Sequence, residues 1–525
     1  MITPLLGTSF IGYSRSTGTK AFVHAVNPAT GEKLEPLYLT ATEAEVGKVM
    51  SLAAAAFPVY ANLTGKVRAE FLRNIAREIE VVADDIAARG QLETGLPEAR
   101  LRGETARTTG QLRMFADLIE DGSWVDARIE RADPDRKPIP KVDLRSMSFP
   151  LGPVAVFCAS NFPMAYSVAG GDSASALAAG CPVIVIAHNS HVGVAEIVAS
   201  AVIRAAKASG MPEGVFSVLY GGGRVIGQAV VKHPVTQAVG FTGSRAGGTA
   251  LMDIASDRKQ PIPVYAEMSA VNPVVILPSA VARGEEALAE SFFGSLTLGV
   301  GQFCTNPGLV FLPTGLGEKF LTKLKSLVEA ASPGTMLNAT ICKSYAESTA
   351  EIESIDGVTI LARGSAAGFG QGSAVVFTVP VDRFVNDESL QGEMFGPATL
   401  IVRGTLAEIE AAIPHLEGQL TASIHGSDAE IAAHPGLVAA LRERSGRMIY
   451  NGYPTGVEVC SSMVHGGPFP ATSDGRSTSV GSMAIDRFCR AAAWQSCPDA
   501  LLPPALQDAN PLGLCRMENG RKTCP

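Results

Sequence analysis

The first third of the chain carries apolar residues on a helical period. Thr42 and Glu45 stand three apart ahead of an Ala-rich stretch, the arrangement of a capping box at a helix start. Phe71, Ile75, Ile79, Val82 and Ile86 follow at spacings of three and four. That spacing places one apolar stripe on a helix that Gly90 would stop. A third helical pattern runs from Pro97 to Asp121. From Gly152 the period shortens. Val154–Phe157, Pro182–Ala187, Val215–Leu219 and Gln237–Phe241 read as short buried strands. Helical stretches end at Gly180 and Gly210, a short one starts at Arg224, and another follows Gly243. A second series begins near Val271, with strands at Val274–Leu277, Leu309–Leu312, Val358–Leu361 and Leu400–Val402. Continuous β-branched strands separated by helices indicate parallel sheets covered on both faces. The fold class is therefore α/β, with two doubly wound domains in tandem and a boundary between Pro263 and Ala270. The tail after Cys497 is Pro-rich and lacks periodicity, which predicts a surface-draped extension.

At 525 residues, two or three domains are expected. Lys and Arg number 43 against 51 Asp and Glu, a net charge of −8, and no long basic run occurs, so nucleic acid is not an expected partner. The most apolar segment, Ala176–Ala187, is broken by Gly180 and Pro182 and falls short of the roughly 20 residues that span a bilayer. The N-terminal residues lack the basic region and sustained apolar stretch of a signal peptide, so a cytoplasmic location is expected and no membrane association. The nine cysteines are scattered and none forms C-x-x-C, which suggests neither a disulfide framework nor a zinc ribbon. His188 and His191 stand three apart without a carboxylate or cysteine at ligand spacing, and no metal is expected.

No G-x-G-x-x-G opens a helix after a strand. Gly221-Gly-Gly223 with Gly227, and Gly243-Ser-Arg-Ala-Gly247-Gly248, occupy strand ends before helices instead, where backbone N–H groups and the helix dipole can hold phosphate. Cys304 lies in the Gly-rich segment Gly299–Gly308, between a helix and a strand, in the uncluttered backbone that a nucleophile needs. Asn161 follows one strand and Glu267 ends another. A thiol, an amide donor and a carboxylate at such positions make an acyl-transfer set if they converge, which spacing alone does not establish.

The segments Ala159-Ser-Asn-Phe-Pro163, Phe241-Thr-Gly-Ser-Arg245, Ala266-Glu-Met268, Gly301-Gln-Phe-Cys304 and Glu393-Met-Phe-Gly-Pro397 occur in this order in aldehyde dehydrogenases, which the chain resembles over about residues 20–490. Ser160–Asp172, Gly299–Leu309 and Val464–Asp474 resemble more narrowly the α-ketoglutarate semialdehyde (2,5-dioxovalerate) branch, itself similar to a bacterial NADP-preferring fatty aldehyde dehydrogenase. The resemblance implies that Cys304 attacks the aldehyde and that Asn161 and the Cys304 N–H hold the oxyanion. It further implies that Glu267 activates the water that hydrolyses the thioester. Gly243, Ser244 and Met268 would lie along an NADP or NAD cofactor, with Glu393 and Phe395 at the nicotinamide ribose and ring. Ile186 stands where the family places a ribose-binding lysine, and an alkyl group cannot donate those hydrogen bonds. Asn189 and Arg224 lie nearby, and Arg224 aligns with an arginine that grips the 2′-phosphate in the NADP-preferring relative. Ser269-Ala270 replaces two glycines, adding bulk beside Glu267 and the nicotinamide. Arg107 and Arg113 lie on the helix that lines the family's tunnel, each read as exposed to solvent.

These likenesses imply residues 1–265 as N-terminal helices and cofactor domain, with an oligomerisation segment at about 133–150. Residues 266–470 would be the catalytic domain, and 471–525 the C-terminal oligomerisation strands and tail of a homodimer or homotetramer. The implied substrate is a small-molecule aldehyde, α-ketoglutarate semialdehyde first, with succinate semialdehyde or aliphatic aldehydes as alternatives. From other classes, a cofactor-independent thiol hydrolase using Cys304 with His465, or an inactive scaffold, stays open. The likeness puts the His465 loop near the substrate entrance, in a structural or substrate-facing role.

Overall fold

The computed structural model describes residues 4–525. Its first sheet has the order Val264–Glu267, Ala238–Thr242, Val154–Phe157, Val183–Ile186, Phe216–Leu219, Phe10–Ile11, Ser14–Arg15. The five strands from Val264–Glu267 to Phe216–Leu219 are mutually parallel, and Phe10 pairs antiparallel at the edge. Alternation along each strand splits the side chains between two cores. Val154, Val156, Val183, Val185 and Val218 pack into one cluster, and Ala155, Phe157, Ile184, Ile186 and Leu219 into another on the opposite face. Period-two alternation in a wholly apolar strand is thus what covers both faces of the sheet.

The second sheet runs Thr359–Arg363, Val375–Pro380, Ala398–Gly404, Leu309–Pro313, Pro273–Ile276, Gln419–His425, Ser445–Tyr450. Its faces divide the same way, Val275, Phe311 and Val402 against Val274, Val310 and Ile401. Thr359–Arg363 is antiparallel to its neighbour and bulged. It is an edge strand and not a member of the parallel series. The strands Val375–Pro380, Gln419–His425 and Ser445–Tyr450 were not among those predicted.

Two helix expectations need correction. The Phe71–Ile86 stripe spans two helices, Gly65–Val81 and Ala83–Thr94, which break at Val82 (φ −107°, ψ 16°). Asp84 and Asp85 then sit in a new first turn, where the helix dipole favours acids. Gly90 lies inside the second helix because Leu101 would stand 3.0 Å from any Cβ there, and the stop is Gly95, at φ +68°. The capping box at Thr42 forms as read, with Glu45 N–H donating to Thr42 Oγ1 at 3.2 Å. At Arg224 the chain makes a wide turn, Gly222–Gly227, ahead of a short helix over Gln228–Lys232.

The tail is not merely draped. Arg516–Glu518 and Arg521–Thr523 extend a five-stranded sheet with Arg128–Glu130, Leu144–Pro150 and Cys489–Gln495. Leu502, Leu506 and Leu514 bury against Ala127 and Ile129. Arg516 pairs with Thr523, so the flanking Cys515 and Cys524 face each other and form a disulfide, contrary to the cysteine reading. A hairpin register, not a Cys spacing motif, brings them together. Among the described residues no helix is long and apolar enough to cross a membrane.

Candidate active site

Sheet order locates the first half of the site. From Val154–Phe157 the chain winds outward to Val183–Ile186 and Phe216–Leu219, then returns to place Ala238–Thr242 on the other side of Val154–Phe157. The order reverses between these two central strands, and their carboxyl ends flank a crevice of the kind where open α/β sheets bind ligands. Asn161 follows one strand and Gly243-Ser244 the other. Val264–Glu267 lies next to Ala238–Thr242 and ends on Glu267 at the same level, opposite Thr242.

Cys304 comes from the second half, on the loop between the Glu285–Thr297 helix and the Leu309–Pro313 strand. Its approach is unusual backbone: Gly299, Val300 and Gly301 all have φ between +57° and +64°. A β-branched residue at Val300 in this region is strained, and its neighbours must hold it there. A Cβ at Gly301 would meet the Gly396 carbonyl carbon at 2.3 Å, so only glycine fits. The loop is then clamped. The buried Asn272 side-chain amide donates to the carbonyls of Cys304 (2.9 Å) and Asn306 (3.0 Å), and Asn306 donates to Gly396 O at 3.1 Å. Asn161 is buried and donates to Gln302 O at 3.0 Å, which seats its amide against the Cys304 loop with one N–H uncommitted.

The third contribution is the segment around His465, which runs back along the edge of the first sheet. Met268 N–H donates to Ala471 O (2.8 Å), and Glu267 bridges Thr472. This brings His465 between Glu267 and Cys304. Its Nε2 is 3.1 Å from Glu267 Oε1 and 3.6 Å from Cys304 Sγ, and the ligand-type atoms of the three residues all lie within 4.8 Å of one another. Ser479 Oγ donates to Glu267 Oε2 at 3.0 Å. His465, expected near the substrate entrance or, in the rival hydrolase reading, as the partner of Cys304, clusters with Cys304 and Glu267. Asn272 and Ser479 were missed outright. The Ala270-Val-Asn-Pro273 run, with an asparagine at φ +50°, was the signal for the first.

Electrostatics distinguish the two acids. Burial pushes the Glu267 carboxyl up, but the His465 ring and hydrogen bonds from His465, Cys304 and Ser479 outweigh it and hold the group below its ordinary value. Burial, then the negative charge and hydrogen bond of Glu267, hold the Cys304 thiol well above its own. At neutral pH the resting pair is thus a thiol donating to a carboxylate. Glu393 is pushed up to about 7 by burial and by the Glu267 charge, against hydrogen bonds from the Ser269 hydroxyl and the Ala270 N–H. The Ser269-Ala270 pair therefore does more than add bulk, because its serine hydrogen-bonds a carboxylate read as part of the cofactor site.

The remaining predicted residues group around the crevice. Ser244 caps the Arg245–Ser256 helix through Gly247 N–H (3.2 Å), and Gly243 N–H donates to Glu267 O (3.0 Å), which ties this loop to the strand that ends on Glu267. Gly248 lets the helix approach, since a Cβ there would strike Met268 Sδ at 2.6 Å. Ile186 is buried among Ile184, Leu219 and Ile226. Asn189 and Arg224 are exposed, and Arg224 has no ion pair among the described residues. Phe395 and Glu393 are half-buried. A helix N-terminus with glycines at a switch point, an unpaired cation nearby and a half-buried acid form a donor and acceptor set that fits a dinucleotide. His188 and His191 stack at 5.6 Å, with His191 Nε2 on Ala159 O at 2.7 Å. Arg113 is ion-paired to Glu80 on the surface, whereas Arg107 is half-buried and lies over the Tyr166 ring.

Known proteins share this sequence and this fold. The chain is 48% identical to α-ketoglutaric semialdehyde dehydrogenase 2 of Azospirillum brasilense over 523 residues, 98% of this chain and 99% of that one. It is 42% identical to the α-ketoglutaric semialdehyde dehydrogenase of Acinetobacter baylyi, covering 98% of each. Among solved structures, a lactaldehyde dehydrogenase superposes at a TM-score of 0.80 with 20% identity, over 94% of this chain and 99% of that one. The aldehyde dehydrogenase KauB of Pseudomonas aeruginosa superposes at 0.79 with 20% identity, over 94% and 97%. The sequence profile described as the aldehyde dehydrogenase family matches residues 13–488, and the chain belongs to that family.

Proposed function

We propose that this enzyme oxidises α-ketoglutaric semialdehyde to 2-oxoglutarate through a thioester on Cys304. The observation that carries the proposal is the convergence of the Cys304 thiol and the Glu267 carboxylate with His465 between them. Near-full-length identity to two α-ketoglutaric semialdehyde dehydrogenases supports the substrate. The cofactor is NAD(P), which accepts the hydride when bound. Ser244, the N-terminus of the Arg245–Ser256 helix, Glu393 and Phe395 would hold it. The unpaired Arg224 supports a preference for NADP, while Ile186 removes a ribose donor and weakens binding overall.

Glu267 first takes the thiol proton, and the His465 Nε2–H, shared between carboxylate and sulfur, steadies the thiolate so formed. Sulfur attacks the aldehyde carbon, and the free Asn161 N–H with the Cys304 N–H receives the oxyanion; one such donor is worth about 3–4 kcal/mol when removed. After Glu267 has released its first proton to solvent, it draws a second from the water that hydrolyses the thioester. We place subunit contact on the five-stranded sheet that includes the tail, in a homodimer or homotetramer. We place the enzyme in the cytoplasm, which suits its seven free thiols, with the Cys515–Cys524 disulfide of the tail as the exception.

A panel of aldehydes with and without a terminal carboxylate, assayed by reduced-nicotinamide absorbance with both cofactors, tests the reading. The highest kcat/KM belongs to the semialdehyde, and Cys304→Ala abolishes turnover. A higher kcat/KM for an uncharged aliphatic aldehyde would overturn the substrate assignment.

A further inference from the structure

Resting on the proposed substrate, we infer that Arg107 and Arg447 form the clamp for its 2-oxo acid end, which makes them the specificity-determining residues of this site. Several arginines lie near the Cys304 loop, and their partners separate them. Arg100 is committed to Glu104 at 3.5 Å, stacked over Phe162 and Phe303. Arg113 is bidentate to Glu80, away from the site. Arg107 and Arg447 alone of these four have no carboxylate partner among the described residues.

Both guanidinium groups meet the same stretch of chain. Arg447 donates to Pro454 O (3.1 Å) and Gly456 O (3.2 Å), and Arg107 reaches toward Val457 O at 3.5 Å. Main-chain carbonyls orient the two cations without neutralising them, and the Tyr166 ring under Arg107, 5.5 Å from the guanidinium carbon, does the same. Arg447 Nε is buried and unpartnered. The Tyr166 ring in turn lies 6.3 Å from the ring of His465, which reaches Cys304. Both charges act on the catalytic thiol. Unneutralised, oriented, partly buried cations beside a nucleophile call for an anion on the reacting molecule. A carboxylate fills one planar fork, and the adjacent 2-oxo group offers an acceptor to the second.

Arg447→Met, Arg447→Lys and Arg107→Met holoenzymes, each assayed with the semialdehyde and with pentanal, test the clamp. Each Met variant lowers the ratio of kcat/KM for the semialdehyde to that for pentanal by roughly 10–100-fold, chiefly through KM. Arg447→Lys keeps the charge but loses the fork, so its ratio falls less than that of Arg447→Met. Glutarate, a dead-end dicarboxylate, loses its competitive inhibition in parallel. A ratio that stays at the wild-type value in both Met variants overturns the clamp. If wild type itself prefers pentanal, the substrate reading has failed instead, and the variants are then not at issue.

Discussion

At the scale of the residue, the decisive feature is a thiol that rests protonated beside an ionised acid. With the Cys304 thiol held well above its ordinary value, kcat/KM rises with pH through the neutral range as the proton becomes easier to lose. In the proposed mechanism His465 lowers this barrier, its Nε2 standing 3.6 Å from the sulfur. His465→Asn therefore moves the rising limb of the pH profile to higher pH and lowers kcat/KM at neutrality about 100-fold, within the range usual for a positioned proton-handling side chain. An unchanged profile would reduce His465 to packing. Cys304, Glu267 and Asn161 were legible in the sequence because each sits where a strand or helix ends, in wording shared with a family. His465 entered only as the partner of Cys304 in the rival hydrolase reading. Its contact with Glu267 was not legible, because it depends on a chain segment returning about two hundred residues after Glu267, a contact no local pattern encodes. The same holds for Ser269, which reads as bulk until Glu393 is placed beside it.

At the scale of the element, buried acids fix the ends of helices that carry no cap of their own. Glu93, fully buried at the end of the Ala83–Thr94 helix, accepts Gly193 N–H at 2.8 Å and Val194 N–H at 3.0 Å, the first turn of the Val192–Ala208 helix. That helix covers one face of the first sheet and has no side-chain cap from His191. Glu93→Ala orphans both donors and leaves Arg89 unpaired, at a cost of about 2–4 kcal/mol seen as a lower Tm with the same fold. A Tm within about a degree of wild type would contradict the role, given the several-degree shift that such a loss produces. Most strands with unbroken β-branched runs were plain in the sequence, although Val375–Pro380 was overlooked, whereas Gln419–His425 and Ser445–Tyr450 were hidden. Their Gln, Thr, Ser, His and Arg residues break the apolar run, although the first of these strands is wholly buried, with Gln419 bonded to Val271 N–H and Thr421 to Asn272.

At the scale of the molecule, the proposed reaction belongs to neither sheet alone. The first supplies Glu267, Asn161 and the cofactor crevice, the second carries Cys304 and its Asn272 clamp, and the returning segment closes the gap with His465. The tandem α/β plan was readable from alternation, but the tail's strands and the Cys515–Cys524 hairpin arise from long-range pairing that a Pro-rich sequence does not announce. The account depends on acyl transfer across that junction. A single turnover of Glu267→Gln with the semialdehyde and cofactor, quenched and read by intact mass together with nicotinamide absorbance, tests it most directly. One equivalent of reduced nicotinamide should form, more slowly than in wild type because the base that takes the thiol proton is also lost. One acyl group should then be retained on Cys304, since the group that activates water is missing. Reduced nicotinamide formed while Cys304 stays unmodified throughout, or acid formed with no nicotinamide reduced, would contradict it.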